Sequence, residues 1–462
     1  MNRRSLAAHA LASTLVAAPP AHAEQFYAHE RVVVQGRHYY LRQQPLNPAI
    51  FNPRELHARA RPDGGIHLIY ADFTNWPLRN LYMKAFDSWG NVITPDSWCL
   101  ETDYHDISLS LLVLEDQVWI AWSDAQATWA QRFATDGEGP IEPRFVLDDQ
   151  MQSTEEISLA SNGSIVVAGF SSWDDGTPPW GALVRYYDLD GNPLTELTTI
   201  AGSTGATHYS NTKCAVAPNG DTMVSYTRAL PSLAGFHRHG SLSGGFGAPQ
   251  PMLAPDNGAR PYALDDGGFL LWSGSGEPWL SAHVQRFMSS GSSGPFRSID
   301  ANLFGGFAAN RRGEFVQYYR RESTYAPPTC EFYDANLNLV SGRIPVSRTG
   351  PNPTQVAIAF PGDWATVLED DGTFWCMWTI DPRETHITML KPFTPGDLDG
   401  DGRVTNFDID PFVLALTNRE AYQAAFPHVP PEAIDILGDM NGDGLLTNFD
   451  IDPFVDALVN GP

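Results

Sequence analysis

The feature that most constrains the fold of this chain is a short pattern that recurs seven times, a tight turn followed at once by an apolar, aromatic-rich run. The copies begin at Asp63, Asp116, Asn162, Asn219, Asp266, Arg312 and Asp371. From Gly65 to Gly372 their spacing averages about 51 residues, which lies in the range of blade-like repeats. Such a unit cannot bury its faces alone, so the pattern predicts a ring of packed units.

A second run in most units combines a basic residue with aromatic residues, as in Val184-Arg-Tyr-Tyr-Asp188. Further copies occupy residues 81–87, 130–133, 283–287 and 330–334. Each unit therefore offers about four short strands. We predict an all-β body, a seven-bladed β-propeller over residues 24–393. The alternative is a row of β-sandwich domains, which would show strands without so regular a repeat.

The seventh unit ends at Pro392 without a fourth strand, whereas the N-terminal segment 31–41 has strand composition and no unit of its own. A ring whose ends meet would use such a segment to complete its last blade. Closure of this kind removes an exposed strand edge. We therefore expect residues 31–41 to form one strand of the seventh blade.

The N-terminus has the pattern of a secretory signal peptide over residues 1–23. Arg3 and Arg4 precede a mostly apolar stretch, and Ala21-His22-Ala23 forms an A-x-A cleavage site before Glu24. The apolar stretch is too short to span a bilayer, and no later segment is long enough. We predict a secreted, extracellular protein, free or attached to a cell surface, with no transmembrane segment in the mature chain.

Charge and cysteine content narrow the classes of partner. The formal net charge is −25, which makes duplex nucleic acid a poor partner because binding it requires a basic face. The four cysteines, in an exported chain, leave disulfides and buried free thiols both open. They are Cys99, Cys214, Cys330 and Cys376.

Two twelve-residue stretches near the C-terminus, 397–408 and 439–450, have the spacing of calcium-binding EF-hand loops. Each carries oxygen-bearing side chains at loop positions 1, 3, 5, 9 and 12, and glycine at position 6. A hard cation needs six to eight oxygens at short range, and glycine permits the sharp turn that brings them together. The pattern predicts two Ca²⁺ sites.

The last four residues of both loops and the five residues after them are identical, Thr-Asn-Phe-Asp-Ile-Asp-Pro-Phe-Val at 405–413 and 447–455. The pair resembles a type I dockerin domain, a small all-α module with two calcium loops that each precede a helix. The resemblance covers roughly 396–462 and implies a domain over 394–462. It implies a cohesin-like partner, or another surface or scaffold protein. The ligands that it implies, with the carbonyls of Arg403 and Leu445 at position 7, are Asp397, Asp399, Asp401, Arg403, Thr405 and Asp408 in the first loop and Asp439, Asn441, Asp443, Leu445, Thr447 and Asp450 in the second.

Charge counting makes the two sites unequal. The first loop has four carboxylates at ligand positions and the second has three, so we expect the first to bind calcium more tightly. Pro411 and Pro453 follow the last ligands closely, and proline is tolerated only in a first helical turn. We therefore expect each helix to start late, with Asp410 and Asp452 as N-caps.

Loop positions 10 and 11, which help choose the cohesin partner in dockerins, are Asn-Phe in both copies. Phe407 and Phe449 are either exposed anchors for a partner or core residues between the helices. The stretch between the loops, 414–438, is long for the family and carries three prolines.

No catalytic residue can be assigned from the sequence. Residues 172–180 approach the Asp box of sialidase-type propellers but are one residue too long, and we interpret them as a turn. Glycoside cleavage needs two carboxylates, yet acids at strand turns are ordinary turn residues. The candidate pairs are Asp103/Asp106, Glu155/Glu156 and Asp265/Asp266. The candidate histidines are His57, His105, His208, His237, His239 and His283, of which His237 and His239 are either a metal pair or part of an ordinary strand.

The two modules together suggest a secreted calcium-binding protein whose C-terminal tail attaches a propeller to a scaffold or surface. In this reading the propeller binds or degrades extracellular polysaccharide, and any enzyme would be a glycoside hydrolase or another polysaccharide-active enzyme. The alternative is a non-enzymatic structural or adhesive protein. Convergence of acids and aromatics from several blades on the central channel would favour catalysis.

Overall fold

The structure is a computed structural model of the 462-residue chain. It describes residues 28–46, 54–72, 79–102, 108–123, 127–136, 139–148, 154–172, 181–204, 207–230, 232–252, 259–274, 281–300, 303–304, 306–321, 328–346, 366–381 and 384–460. The predicted signal peptide, Asp103, His105, Asp106 and residues 173–180 of the Asp-box-like stretch lie outside the described residues.

The body consists of seven antiparallel sheets arranged as blades. Blade 1 comprises β3 (Arg54–Ala60), β4 (Ile66–Asp72), β5 (Arg79–Phe86) and β6 (Val92–Thr102). Blade 2 comprises β7 (Leu109–Val113), β8 (Gln117–Ser123), β9 (Thr128–Ala134) and β10 (Phe145–Asp148). Blade 3 comprises β11 (Thr154–Ser161), β12 (Val166–Ser172), β13 (Gly181–Tyr187) and β14 (Thr198–Gly202). Blade 4 comprises β15 (His208–Val216), β16 (Asp221–Leu230), β17 (Ala234–Ser241), β18 (Gly245–Phe246) and β19 (Gln250–Pro251).

The remaining blades follow the same order. Blade 5 comprises β20 (Arg260–Ala263), β21 (Phe269–Gly274), β22 (Ser281–Phe287) and β23 (Ser293–Asp300). Blade 6 comprises β24 (Leu303–Phe304), β25 (Phe307–Ala309), β26 (Phe315–Arg321), β27 (Thr329–Tyr333) and β28 (Ile344–Pro345). Blade 7 comprises β29 (Thr366–Leu368), β30 (Phe374–Asp381), β31 (Glu384–Phe393) and two N-terminal strands, β1 (Ala28–Val34) and β2 (Arg37–Pro45). The predicted seven-bladed β-propeller is confirmed.

The sequence repeat maps directly onto the blades. The seven turn-plus-aromatic runs form the second strand of each blade, and the basic–aromatic runs form the third. Every residue of β8 is buried, because neighbouring blades cover both faces of a second strand. The first strands of neighbouring blades contact one another and so surround the central channel.

The N-terminal segment closes the ring, but by a hairpin. β2 pairs with β31 along its length, and β1 pairs with the outer side of β2. The prediction that residues 31–41 form one strand is wrong, because Gln35 and Gly36 both adopt positive φ and turn the chain between Val34 and Arg37. This is the backbone geometry of a two-residue hairpin turn, whose twist matches the flanking strands. The expected closure of the seventh blade is confirmed.

The C-terminal region contains four short α-helices and two 3₁₀ turns. The helices are α1 (Ile409–Thr417), α2 (Arg419–Ala425), α3 (Ala433–Gly438) and α4 (Ile451–Asn460), and the 3₁₀ turns are Asn406–Asp408 and Asn448–Asp450. The long stretch between the calcium loops thus holds α2 and α3.

The predicted N-caps Asp410 and Asp452 are wrong, because each is the second residue of its helix. Pro411 and Pro453 are third residues, where the missing N–H would have had no intrahelical acceptor. The capping side chain is Thr405 in the first repeat, and Asp408 completes a capping box with it.

The helical region packs against the propeller. One hydrophobic cluster contains Tyr40, Trp89 and Trp375 of the propeller together with Leu398 and Phe412 of the helical region. The two parts of the chain therefore share one hydrophobic core. The domain boundary after residue 393 stays a prediction, and the last strand ends at Phe393.

Polar contacts add to this junction. Arg31 of β1 donates from Nη1 to the Asp439 carbonyl at 2.7 Å and to its carboxylate at 3.2 Å. The Asn91 amide donates to the His428 carbonyl at 2.8 Å. Hydrogen bonds between segments this distant in sequence fix the angle between the two parts as well as their separation.

The structure answers two smaller questions. Cys214, Cys330 and Cys376 are buried free thiols, whereas the side chain of Cys99 lies outside the described part of the chain. None of the described helices is both long and apolar enough to span a membrane.

Candidate calcium sites

The first loop is wrapped around its own carboxylates. Asp397 accepts backbone hydrogen bonds from Gly400 at 2.9 Å, from Asp401 at 3.1 Å and from Gly402 at 2.9 Å. Asp408 accepts from Leu398 at 2.8 Å and from Thr405 at 2.8 Å. These bonds turn the carboxylates at positions 1 and 12 toward the inside of the loop, where a cation would lie.

The second loop repeats the arrangement at equivalent positions. Asp439 accepts from Gly442 at 2.7 Å and from Gly444 at 3.0 Å, and Asp450 accepts from Met440 and Thr447 at 2.8 Å each. Asn441 and Asp443, at positions 3 and 5, accept from backbone N–H groups two residues ahead. Thr405 and Thr447 cap the 3₁₀ turns, and Arg403 and Leu445 are exposed at position 7.

The donor set of the first loop fits a hard cation. Asp397, Asp399 and Asp401 bring carboxylate oxygens within 4.8 Å of one another, the one such group of three acidic, His or Cys ligands among the described residues. Burial raises the pKa of Asp397 to about 7, and the nearby Asp408 and Asp399 carboxylates add to the effect. Buried like charges destabilise one another unless a cation lies between them. Residues 397–408 would therefore hold Ca²⁺ favourably.

The second loop differs in one contact that the sequence did not predict. Arg31 reaches the Asp439 carboxylate, so a propeller side chain already neutralises part of the charge at position 1. No signal in either segment could reveal this, since 408 residues separate the partners. This contact and the smaller number of carboxylates both favour weaker calcium binding by the second loop. Tighter binding by the first loop stays a prediction.

The two repeats meet through a pair of equivalent phenylalanines. Phe412 and Phe454 hold equivalent positions, and their rings stack with centroids 4.1 Å apart at an angle of 10°. The pair lies in the core between the repeats. The stacked pair therefore joins the two repeats through their shared core.

Phe407 and Phe449 lie on the surface. Their side chains are 73% and 72% exposed. Of the two interpretations of loop position 11, exposed residue or core residue, the structure therefore supports the exposed one. The helices that follow them, α1 and α4, carry two further pairs of exposed apolar residues at equivalent positions. They are Ile409 with Ile451 and Val413 with Val455.

The acid pairs of the propeller are engaged in other contacts. Glu156 forms an ion pair with Lys213, while the side chain of Glu155 lies outside the described residues. Asp266 binds Arg286 at 2.6 Å and also accepts from the backbone of Gly268 in its own turn. Asp265 lies 3.9 Å from Arg311. Turn and ion-pair roles account for these carboxylates.

His237 and His239 are packed among aromatic rings. The His237 ring centroid is 4.7 Å from that of Phe287 and 5.3 Å from that of His239. No third metal-ligating group approaches the pair among the described residues. Burial lowers the pKa of both histidines, that of His237 to about 4. His237 is therefore a buried core residue of blade 4, and His239 packs half-buried beside it.

Replacement of His237 by Phe is expected to flatten the acid side of the pH–stability profile. Its pKa is about 4 in the folded chain against 6.5 when unfolded, so the unfolded state binds the proton more readily. The contribution is complete above pH 6.5 and is lost as the pH falls toward 4. Between pH 7.5 and 5 the wild type should lose about 2 kcal/mol that His237→Phe keeps. Urea unfolding at both pH values measures the difference, and equal losses would refute the assignment.

A shallow aromatic groove lies on the outer part of blades 3 and 4. Its cavity volume is about 300 Å³, and Tyr209, Tyr226, Phe236 and Arg238 contribute to its walls. The rings of Tyr226 and Phe236 stack at 5.7 Å. Tyr226 is buried, whereas Tyr209, Phe236 and Arg238 are half-buried, so the groove presents only the edges of these side chains to a ligand.

Comparison with known proteins adds little to this description. No family model matches the chain, and no curated protein matches it. Among solved structures, a protein of unknown function from Dyadobacter fermentans is 11% identical and covers 76% of this chain and 99% of its own, with a TM-score of 0.42. The Dos1 propeller is 11% identical over 70% of this chain and 75% of its own, with a TM-score of 0.41.

A puromycin hydrolase is also similar, at 14% identity over 74% of this chain and 55% of its own, with a TM-score of 0.42. TM-scores below 0.5 at such identities say nothing about the activity of this chain.

Proposed function

We propose that this chain is a secreted attachment protein in which calcium orders a C-terminal docking module and the module holds a carbohydrate-binding propeller on a scaffold or surface. Residues 397–408 and 439–450 would bind one Ca²⁺ each. The partner would be a cohesin-like domain or another surface protein, as the dockerin resemblance implies. The observation that carries the proposal is the pair of exposed rings, Phe407 and Phe449, at identical positions beside the two loops.

Large exposed apolar side chains that recur in an ordered pattern are typical of an interface, and aromatic residues are the usual energetic centre of one. Each ring is accompanied by an exposed Ile and Val from the helix that follows it. Because the two repeats expose the same residues at equivalent positions, a partner that fits one face should also fit the other. Both faces stay exposed beside the propeller, so docking requires no separation of the two parts.

For the propeller, binding of extracellular polysaccharide is better supported than its degradation. The candidate acids that the structure describes are paired with Lys213, Arg286 and Arg311, whereas hydrolysis needs one carboxyl group free to protonate a leaving group. The second candidate is a non-enzymatic adhesive role, in which the propeller is an interaction platform. The pairing of the candidate acids with basic residues favours this role too.

The test is calcium-dependent binding of the full chain to a panel of purified type I cohesin domains, measured by calorimetry. The double variant Phe407→Ala/Phe449→Ala should weaken binding by roughly 100-fold, since central aromatic residues contribute several kcal/mol. Each single variant should lose far less, because the other repeat offers the same face. Ile141→Ala, a 52% exposed position on the propeller, is the matched control.

Absence of binding to every cohesin in the presence of calcium would contradict a cohesin-like partner. Binding that survives the double variant unchanged would contradict the proposed interface. A circular-dichroism spectrum with and without calcium shows, for each variant, that the module is folded.

A further inference from the structure

The groove between blades 3 and 4 has a basic residue in its wall. Tyr226 of β16 pairs with Phe236 of β17, and Arg238 lies two residues further along β17, on the same face of the sheet. Tyr209 packs against Tyr226 with ring centroids 5.7 Å apart at an angle of 70°. Residues 199–202 of β14, the outer strand of blade 3, supply a second wall. The Arg238 side chain is therefore one of the lining groups of a groove that two blades enclose.

The outer strand of blade 4 is interrupted at the level of Arg238. β19 pairs with residues 236–237 of β17, whereas β18 pairs with residues 240–241. The chain between β18 and β19 includes Pro249, which has no N–H to donate to a ladder and lines the groove. The interruption thus places a proline, instead of a paired strand residue, in the same cavity as Arg238.

Arg238 has no acidic partner in the groove. None of the described residues that line the groove is acidic. The Arg238 Nε is buried and makes no hydrogen bond within the described part of the chain. Burial raises the pKa of Tyr226, and the neighbouring Arg238 acts against that rise, so the two side chains are close. A half-buried cation beside a neutral hydroxyl still lacks a counter-ion, and an anion in the groove would supply one.

A second arginine adjoins the same pair of rings. The Arg228 guanidinium lies over the Phe236 ring at 5.5 Å, and Phe236 stacks on Tyr226. Its hydrogen bonds to Ser232 are long, at 3.4 Å each. Because the two strands are antiparallel, Arg228 and Arg238 lie at opposite ends of the stacked pair. This aromatic face therefore carries two cations, although the chain has a net charge of −25.

The size and the polar edges of the groove limit the ligand. Its volume of about 300 Å³ is near the lower end for small-molecule sites, which suits a single sugar unit. The lining side chains present their edges, and the edges of tyrosine and arginine carry their hydroxyl and N–H groups. Thr199 adds an exposed hydroxyl from β14. The planar fork of a guanidinium matches two oxygens of one carboxylate or sulfate group.

We propose that the groove between blades 3 and 4 binds the carboxylate or sulfate group of an acidic saccharide through Arg238, with the hydroxyls of Thr199 and Tyr209 beside the sugar ring. This inference rests on the proposed polysaccharide binding and deepens it, since it makes the preferred saccharide acidic and places it on the outer part of the ring. A small inorganic anion has the same chemistry, and the experiment separates the two sources.

The experiment is calorimetric titration of the full, calcium-loaded chain with a short oligogalacturonate, with its methyl ester and with inorganic sulfate. The oligogalacturonate should bind, and the ester, which lacks only the charge, should bind at least about tenfold more weakly. Arg238→Gln should reduce the affinity for the oligogalacturonate by the same factor. Arg238→Lys keeps the charge but loses the fork, so its affinity should fall between.

Two further variants separate loss of the site from loss of the fold. Thr199→Trp, at an exposed position of β14, should fill the groove and weaken binding at least about tenfold although Arg238 is kept. Arg312→Gln, at an exposed arginine in the blade 6 turn, is the matched control and should leave the affinity unchanged. Thermal melting of each variant shows whether the ring is intact.

Equal binding of the acid and its ester, or unchanged binding by folded Arg238→Gln and Thr199→Trp, would overturn the inference. Binding of sulfate without oligogalacturonate would overturn the saccharide and leave an inorganic-anion site. Binding of a neutral polysaccharide without any anion binding would overturn the inference too, but would leave the proposed function standing.

Discussion

Calcium removal is expected to unfold residues 397–460 and to leave the propeller folded. The carboxylates of Asp397 and Asp408 are buried in the first loop, and the backbone N–H groups that bind them offset only part of the cost of burying like charges together. The helices are six to ten residues long, which is below the length at which an isolated helix is stable in water. Far-UV circular dichroism during chelation should show loss of the helical signal, restored by calcium.

Single substitutions should assign the effect to each loop. Asp408→Ala and Asp450→Ala should each weaken calcium binding at their own loop by roughly 100-fold or more. The effect should exceed that of removing a residue that only supports a ligand, because each variant removes a predicted ligand itself. Asp410→Ala, at an exposed helical position two residues from Asp408, is the control and should change little. Unaltered calcium stoichiometry in both loop variants would show that the loops do not bind the ion.

Deletion of residues 24–42 is expected to abolish cooperative unfolding of the propeller. The deletion removes β1 and most of β2, and with them the pairing that joins the last blade to the start of the chain. Tyr39, Tyr40 and Leu41 are almost completely buried. At about 1.5–3 kcal/mol for each side chain, their loss approaches the whole stability of a typical domain. Differential scanning calorimetry would show a broad transition or none.

A point variant tests closure more gently. Leu41→Ala should destabilise the chain by about 2–5 kcal/mol, the usual cost of a cavity in a packed core. Val33→Ala in the same hairpin is the matched control, because Val33 is 53% exposed and should change the free energy of unfolding by less than about 0.5 kcal/mol. A melting transition that is unchanged by the deletion, or by Leu41→Ala, would show that the hairpin does not close the ring.

The blades could be predicted because their signals are local. A turn such as Asp266-Gly-Gly and the aromatic strand after it are adjacent in sequence, and their spacing repeats. The N-terminal hairpin could not be predicted in the same way. Gln35 adopts a left-handed conformation, although glutamine is not a residue that turns favour. The strand-forming residues on both sides therefore predicted one continuous strand.

The candidate calcium loops could be recognised for the same reason, since twelve consecutive residues supply all the predicted ligands of each loop, and calcium binding itself stays a prediction. The electrostatic interaction of His57 with Arg260 could not be predicted, because the two residues are about 200 positions apart and only the closed ring brings their blades together. The predicted helix starts were wrong because they depend on residues several positions away. Pro411 limits where the helix can begin, but α1 continues directly from the 3₁₀ turn before it, and the capping bond of that turn belongs to Thr405, six residues earlier.

The shared core beneath Trp89 and the contact of Arg31 with the second loop leave no hinge between the ring and its tail. A partner that grips Phe407 or Phe449 would therefore also set the direction in which the channel opens. Copies mounted side by side on one support would all point the same way, and a long polymer could thread from one opening to the next. The distance between attachment points on the support would then determine the effective concentration of binding sites for such a polymer. The length of a flexible linker would not determine it.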